Sequence, residues 1–246
     1  MVQAEIALPV TTRSVAGEEP RTPMVAMAAD KILLPFGFAV VAVAATMVIW
    51  LHVRPDWGGV NPITGMLSDY GIGSWGWVFD AAMILMGAGS AALLVVMRRH
   101  GLFRRGPELG LMLSWCVCVA GVGACTKDPT IGAQTMRGTL HLTFTAAACA
   151  SLPFAALLVG WRGRRHPRYR RFARVARALA VASVPCFVPF LLSFVVLRLS
   201  GGDQVMIVPT GLVERLMAIV DVVILVVFAL WARAVIRDQQ LASAGS

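Results

Sequence analysis

Six runs of roughly twenty predominantly apolar residues, at 33–53, 75–97, 108–126, 138–161, 175–199 and 211–232, divide the chain, and each is long enough for a helix to cross the hydrocarbon core of a bilayer. The pattern predicts an all-α integral membrane protein built as a single bundle of six transmembrane helices. Residues 1–31 hold Pro9, Gly17, Pro20 and Pro23 among scattered charges without sustained periodicity, which reads as a flexible cytoplasmic tail. The helical domain is then 32–235, with 236–246 a second cytoplasmic tail. The first run lies too far from the terminus and is too long for a cleaved signal peptide. No internal repeat stands out.

The connections carry the polar information. Residues 54–74 are rich in Pro, Gly and Asn and lead into the stretch 68–80, which places Asp69, Asp80 and the aromatics Tyr70, Trp75, Trp77 and Phe79 at the start of the second helix. Arg98-Arg99-His100 and Arg104-Arg105 make a basic turn after that helix. The third run ends at Lys127-Asp128-Pro129, where proline stops the helix. Seven arginines fall in the thirteen residues 162–174, a density that suits a cytoplasmic loop beside anionic headgroups. In the fifth run, Pro185 and Pro189 lie at i, i+4 and predict a bend.

Topology follows from the basic residues. Of the 22 lysines and arginines, only Arg54, Lys127, Arg137, Arg198 and Arg215 fall on the outer side if both termini are inside, so the positive-inside rule predicts N-in, C-in and a bacterial cytoplasmic membrane protein. Composition agrees with a lipid setting: 58% of residues are hydrophobic, 14% are charged and the mean hydropathy is +0.74. The net charge of +9 does not imply nucleic acid, because the arginines lie between apolar spans without interleaved stacking aromatics. Cys116, Cys118, Cys125, Cys149 and Cys186 all sit within apolar spans, and their spacing gives neither a disulfide framework nor a zinc site.

With that topology, Asp56, Asp69, Asp80, Asp128, Asp203, Glu214 and Asp221 gather on the outer side, and the inner half holds nothing comparable. Asp80 sits about 7 to 8 Å into the second helix, and Asp221 lies about two turns beyond Glu214 on one face. Arg137 and His141, at i, i+4, add a cation and a titratable ring at the outer end of the fourth helix. Acids in hydrocarbon are costly, so such residues face the bundle interior and either pair with Arg137 or Arg215 as a structural network or mark a site. The aromatics fit a membrane-interface belt. They also fit a cation-stabilising wall, since burial favours the protonated form of an acid and π faces stabilise cations. No metal-ligand spacing or nucleophilic serine turn is present, and no cofactor is expected.

Ser68-Asp69-Tyr70 before the second helix, Asp128-Pro129 after the third, Arg137 and His141 opening the fourth and Glu214-Arg215-Leu216 opening the sixth form an ordered set. On these residues, over about 33–235, the chain resembles a bacterial six-helix membrane family catalogued as domain of unknown function 998. Glu214 stands where that family more usually has glutamine. In size, helix count and buried acids the chain is also similar to small bacterial membrane-bound terpene cyclases, a likeness without aligned motifs. The expected function is a metal-independent cyclase that protonates an isoprenoid or prenylated substrate taken from the bilayer, with a prenyltransferase as pathway partner. Asp80 or Asp221 would be the general acid, with Asp69, Glu214 and His141 assisting. Tyr70, Trp75, Trp77, Phe79, Asp128, Arg137 and Arg215 would bind substrate. The alternatives are a small-molecule or proton-coupled transporter and a non-catalytic envelope-lipid regulatory subunit.

Overall fold

The computed structural model describes residues 24–54, 60–129, 135–199 and 210–244. Among them are six helices: α1 (Met24–Val53), α2 (Gly76–Arg99), α3 (Pro107–Ala124), α4 (Met136–Gly163), α5 (Arg170–Leu199) and α6 (Thr210–Ala244), with a 3-10 turn at Leu67–Gly71 between α1 and α2. No strand is present among the described residues. Five stretches are long and apolar enough to cross a membrane: Ala29–Val53, Gly76–Arg99, Pro107–Ala124, Met136–Gly163 and Gly211–Ala244. The remaining helix, α5, matches α1 in length at 30 residues and begins in Arg170 and Arg171.

Each helix packs on the next in sequence, and α6 closes the bundle by reaching α1, α2 and α4 as well as α5. Close packing of α2 on α3 depends on Gly87: a Cβ there would meet the Cys116 carbonyl at 2.6 Å and the Ala120 side chain at 2.9 Å. Small residues at such contacts let helix backbones approach, which is how helices associate where lipid removes the hydrophobic drive between them. Gly101, at φ 79°, supplies the left-handed residue that ends α2 and turns the chain into α3. Trp115 of α3 donates from Nε1 to Ser90 Oγ of α2 at 3.0 Å, satisfying both polar groups inside the core.

Helix limits depart from the apolar runs at several ends. The first helix begins at Met24, inside the stretch read as a flexible tail, and α6 continues to Ala244 past the limit at 235. Helical periodicity extends into polar sequence at these ends because the polar residues have partners there. Asp30 is fully buried, bonded to Arg99 Nη1 (2.7 Å) and His100 Nε2 (3.0 Å), while His100 Nδ1 lies 2.6 Å from Gln239 Oε1.

The expectation that the inner half lacks buried acids is therefore corrected. Alongside Asp30, Glu108 of α3 pairs with Arg162, which also donates to the Leu102 carbonyl. Asp238 accepts from Tyr169 at 2.7 Å and pairs with Arg168 at 2.6 Å. Burial, followed by the Asp238 carboxylate, pushes the Tyr169 phenol up to about 12. These residues lie far apart in sequence, which is why spacing did not reveal them.

Candidate functional site

At the other end of the bundle, α1, the 3-10 turn, α2, α3, α4 and α6 enclose a cavity of about 480 Å³. Its wall is overwhelmingly apolar, including Val48, Phe79, Met83, Trp115, Val119 and Met217. None of the described lining residues comes from α5. On the opposite side the bundle is filled by fully buried Leu93, Met97, Met112, Leu152 and Phe228, with Phe103 edge-on to Phe228 at 5.4 Å.

Few polar groups face the cavity, and their partners differ sharply. Glu214 accepts from the Leu67 N–H at the start of the 3-10 turn and also bonds the Ser68 amide. The turn's exposed donors thus find an acceptor on α6, and a Leu212 N–H to Ile63 carbonyl bond of 3.0 Å reinforces the junction. Arg215 donates from Nε to His52 Nε2 at 2.9 Å and from Nη1 to the Gly65 and Gly211 carbonyls at 2.8 Å each. His52 Nδ1 lies 2.8 Å from the Val48 carbonyl, so the two contacts assign the Nδ1–H tautomer, with Nε2 accepting. The Tyr70 ring is 5.0 Å from His52 and 5.9 Å from the Arg215 guanidinium carbon. Arg215 Nη2 and the Tyr70 hydroxyl are both buried without a partner among the described residues.

Asp221 is the exception on this wall. It is 5% exposed and lines the cavity, yet it has no hydrogen bond or ion pair with any described residue. It sits seven residues beyond Glu214, about two turns deeper on the same helix face. Cys149 of α4 lies close enough to feel its charge. A buried acid without a described partner costs stability.

The other residues singled out from sequence have different surroundings. Asp69 bonds Lys127 and accepts from the Met66 N–H at 2.7 Å, fixing the start of the 3-10 turn. Asp128 accepts from the Thr135 N–H (2.7 Å) and hydroxyl (2.6 Å), and Thr135 Oγ1 in turn accepts from the Gly138 N–H (3.1 Å), capping α4. Gly138 is required there, since a Cβ would overlap the Asp128 carboxylate. His141 places Nδ1 2.6 Å from the Cys125 carbonyl and 3.1 Å from that of Val122, closing the end of α3, while its Nε2 is buried with no partner among the described residues. Neither Asp80 nor His141 lines the cavity. Asp80 is half-buried and feels the charge of Arg137, which is itself exposed.

Trp75 and Trp77 also lie outside the cavity. Trp77 is 62% exposed and Trp75 40%, and the Arg54 guanidinium carbon sits 5.0 Å from Trp50 and 4.4 Å from Trp75. That cation–π cluster suits an interfacial anchor. Asp56 and Asp203 lie outside the described residues.

The Asp128 cap has a pH signature. Hydrogen bonds from the Thr135 hydroxyl and then its amide hold the Asp128 carboxyl below the usual carboxylate range. With the folded value depressed, the stabilisation is fully present above the ordinary carboxylate range and is lost as pH falls through the folded value. Amide exchange should show Thr135 and Gly138 protected at neutral pH and released in acid. Asp128→Ala should abolish that protection at neutral pH, and a variant with unchanged exchange would contradict the cap.

His52 and Lys127 were missed as site residues. His52 had one available signal, a histidine ending an apolar run on the side where Glu214-Arg215 begins another. Lys127 had only its adjacency to Asp128. Among the described residues no group of three or more His, Cys, Asp or Glu side chains converges as metal ligands would.

The long apolar helices and the apolar cavity between them define a multi-pass helical membrane protein. Residues 40–231 match the family described as protein of unknown function, DUF998, and the chain belongs to that family. No curated protein and no solved structure matches.

Proposed function

We propose that the protein crosses a bacterial cytoplasmic membrane six times, with both termini inside, and cyclises an isoprenoid or prenylated substrate by proton transfer within its cavity. The asymmetric arginine distribution supports the orientation, and α5, 30 residues long, supplies the sixth span. The cavity then opens toward the outer half of the bilayer, where a lipophilic molecule can enter from the membrane.

The observation that carries this reading is Asp221, a buried acid with no described partner facing an apolar cavity. In its protonated form it donates to an alkene carbon; the resulting cation is attacked by a second alkene and closes a ring, and loss of a proton leaves a neutral isomer. The Asp221 carboxylate and the faces of Phe79 and Trp115 stabilise the cation. Glu214, the second carboxylate on the wall, receives the final proton. Asp80 has no place in these steps because it lies off the wall. A lone acid within a span also suits a proton-coupled transporter, but the packed layer from Leu93 to Phe228 favours a one-sided chamber over a path.

Membranes carrying the protein, supplied with a farnesylated aromatic substrate, should form a cyclised isomer of unchanged mass. The Asp80→Asn variant should do the same. Equal product from Asp221→Asn would remove the proposed acid.

A further inference from the structure

The polar groups on the cavity wall are electrically one-sided. Asp221 is 5% exposed, lines the space and bonds no described residue. Unlike Arg215 Nη2, neither of its carboxyl oxygens is sealed off, so both keep surface where the residue meets the cavity.

Positive charge is withheld from the same space. Arg215 is the one permanent cation among the described lining residues, and it spends Nε on His52 and Nη1 on the Gly65 and Gly211 carbonyls. Its Nη2 has no open surface. Glu214, the second acid on the wall, is taken up by the Leu67 and Ser68 amides. What the cavity offers a ligand is therefore one uncompensated acid, a hydrocarbon wall and the rings of Phe79 and Trp115.

A hard metal ion does not fit that donor set, because it needs about six oxygens and the described residues bring no group of three ligating side chains together. An anionic head would meet Asp221 without a free cation. A lipophilic amine brings the missing charge and a tail for the apolar wall at once.

We infer that the cavity is a binding site for lipophilic amines, with the ammonium on the Asp221 carboxylate and the hydrocarbon along the wall. The neutral amine takes the proton of the Asp221 carboxyl: an N–H bond forms, the O–H bond breaks, and an ammonium–carboxylate pair remains. Such charge-assisted hydrogen bonds are the strong ones, and a low local dielectric strengthens them further. Aromatic rings attract the same cation. The Thr145 hydroxyl, also on the wall, gives its proton to the His141 carbonyl at 2.8 Å and keeps lone pairs to accept from another donor. The inference rests on the cavity and the acid of the proposed reaction but not on the reaction itself, the amine being a stable counterpart of the cation formed there.

Titration calorimetry of the purified full-length protein in neutral detergent tests this with dodecylamine, 1-dodecanol and methylamine. The long amine should bind at least about tenfold tighter than the alcohol, and methylamine, which has no tail, should not bind. Asp221→Asn and Asp221→Leu should each bring dodecylamine down to the affinity of dodecanol while dodecanol binding stays unchanged, and Asp80→Asn, off the wall, should keep the preference. Equal affinity for amine and alcohol, methylamine binding as tightly as dodecylamine, or an amine preference that survives in either Asp221 variant overturns the inference. Cyclised product together with equal affinities overturns this site alone, whereas amine-selective binding without product overturns only the cyclisation.

Discussion

Asp221→Leu is expected to raise the thermal stability of the detergent-solubilised protein while eliminating turnover. The two effects come from one fact: the carboxyl is buried and has no described partner. Desolvating an unsatisfied polar group costs about 1 to 3 kcal/mol, and leucine of similar shape escapes that cost. The same substitution removes the deeper of the two acids described on the cavity wall, and general acid catalysis contributes on the order of 10² to 10⁴ in rate. Asp221→Asn, which keeps shape and polarity, should lose activity equally and gain little stability. Improved stability with lost function is the signature of a residue kept for its chemistry. A destabilised Asp221→Leu protein would instead mark the acid as part of the packing.

At the opposite end the expectation reverses. Asp30→Ala should destabilise the fold by about 3 to 5 kcal/mol, because removing one partner of a buried ion pair strands the other. His100 is as buried as Asp30, whereas Arg99 and Gln239 retain contact with solvent. The cluster ties α1, α2 and α6 together through Asp30, His100 and Gln239. Thermal denaturation of membranes or micelles containing the variant measures it, and a melting temperature equal to that of the unaltered protein would contradict the structural role.

These two acids show how far the chain could be read in advance. Five apolar spans follow from residue pattern alone, since twenty apolar residues in water have few other outcomes. Asp221 was visible because it follows Glu214 by two turns inside such a span. Asp30 was not, because the apolar run starts after Lys31 and the partners that make 24–31 helical are some seventy residues away.

The choice between Asp80 and Asp221 was equally hidden. Successive helix residues point about 100° apart, so Phe79 lines the cavity while its neighbour Asp80 does not. Only the rotation of α2 against its neighbours decides that, and Gly87 and Gly123, where α2 meets α3, help to set it. Trp75 and Trp77 are likewise turned away from the cavity. The roles of Asp69, Asp128 and His141 also rest on partners brought in by folding, two of them backbone carbonyls at the end of α3.

The most direct test of proton-initiated cyclisation at Asp221 is isotopic. Membranes carrying the protein are incubated with the farnesylated substrate in deuterium oxide, and the cyclised product is analysed by mass spectrometry. The predicted product carries one deuterium at the carbon protonated by Asp221, and it is absent from the Asp221→Asn variant. A cyclised product without deuterium, or one formed equally by that variant, would contradict the account.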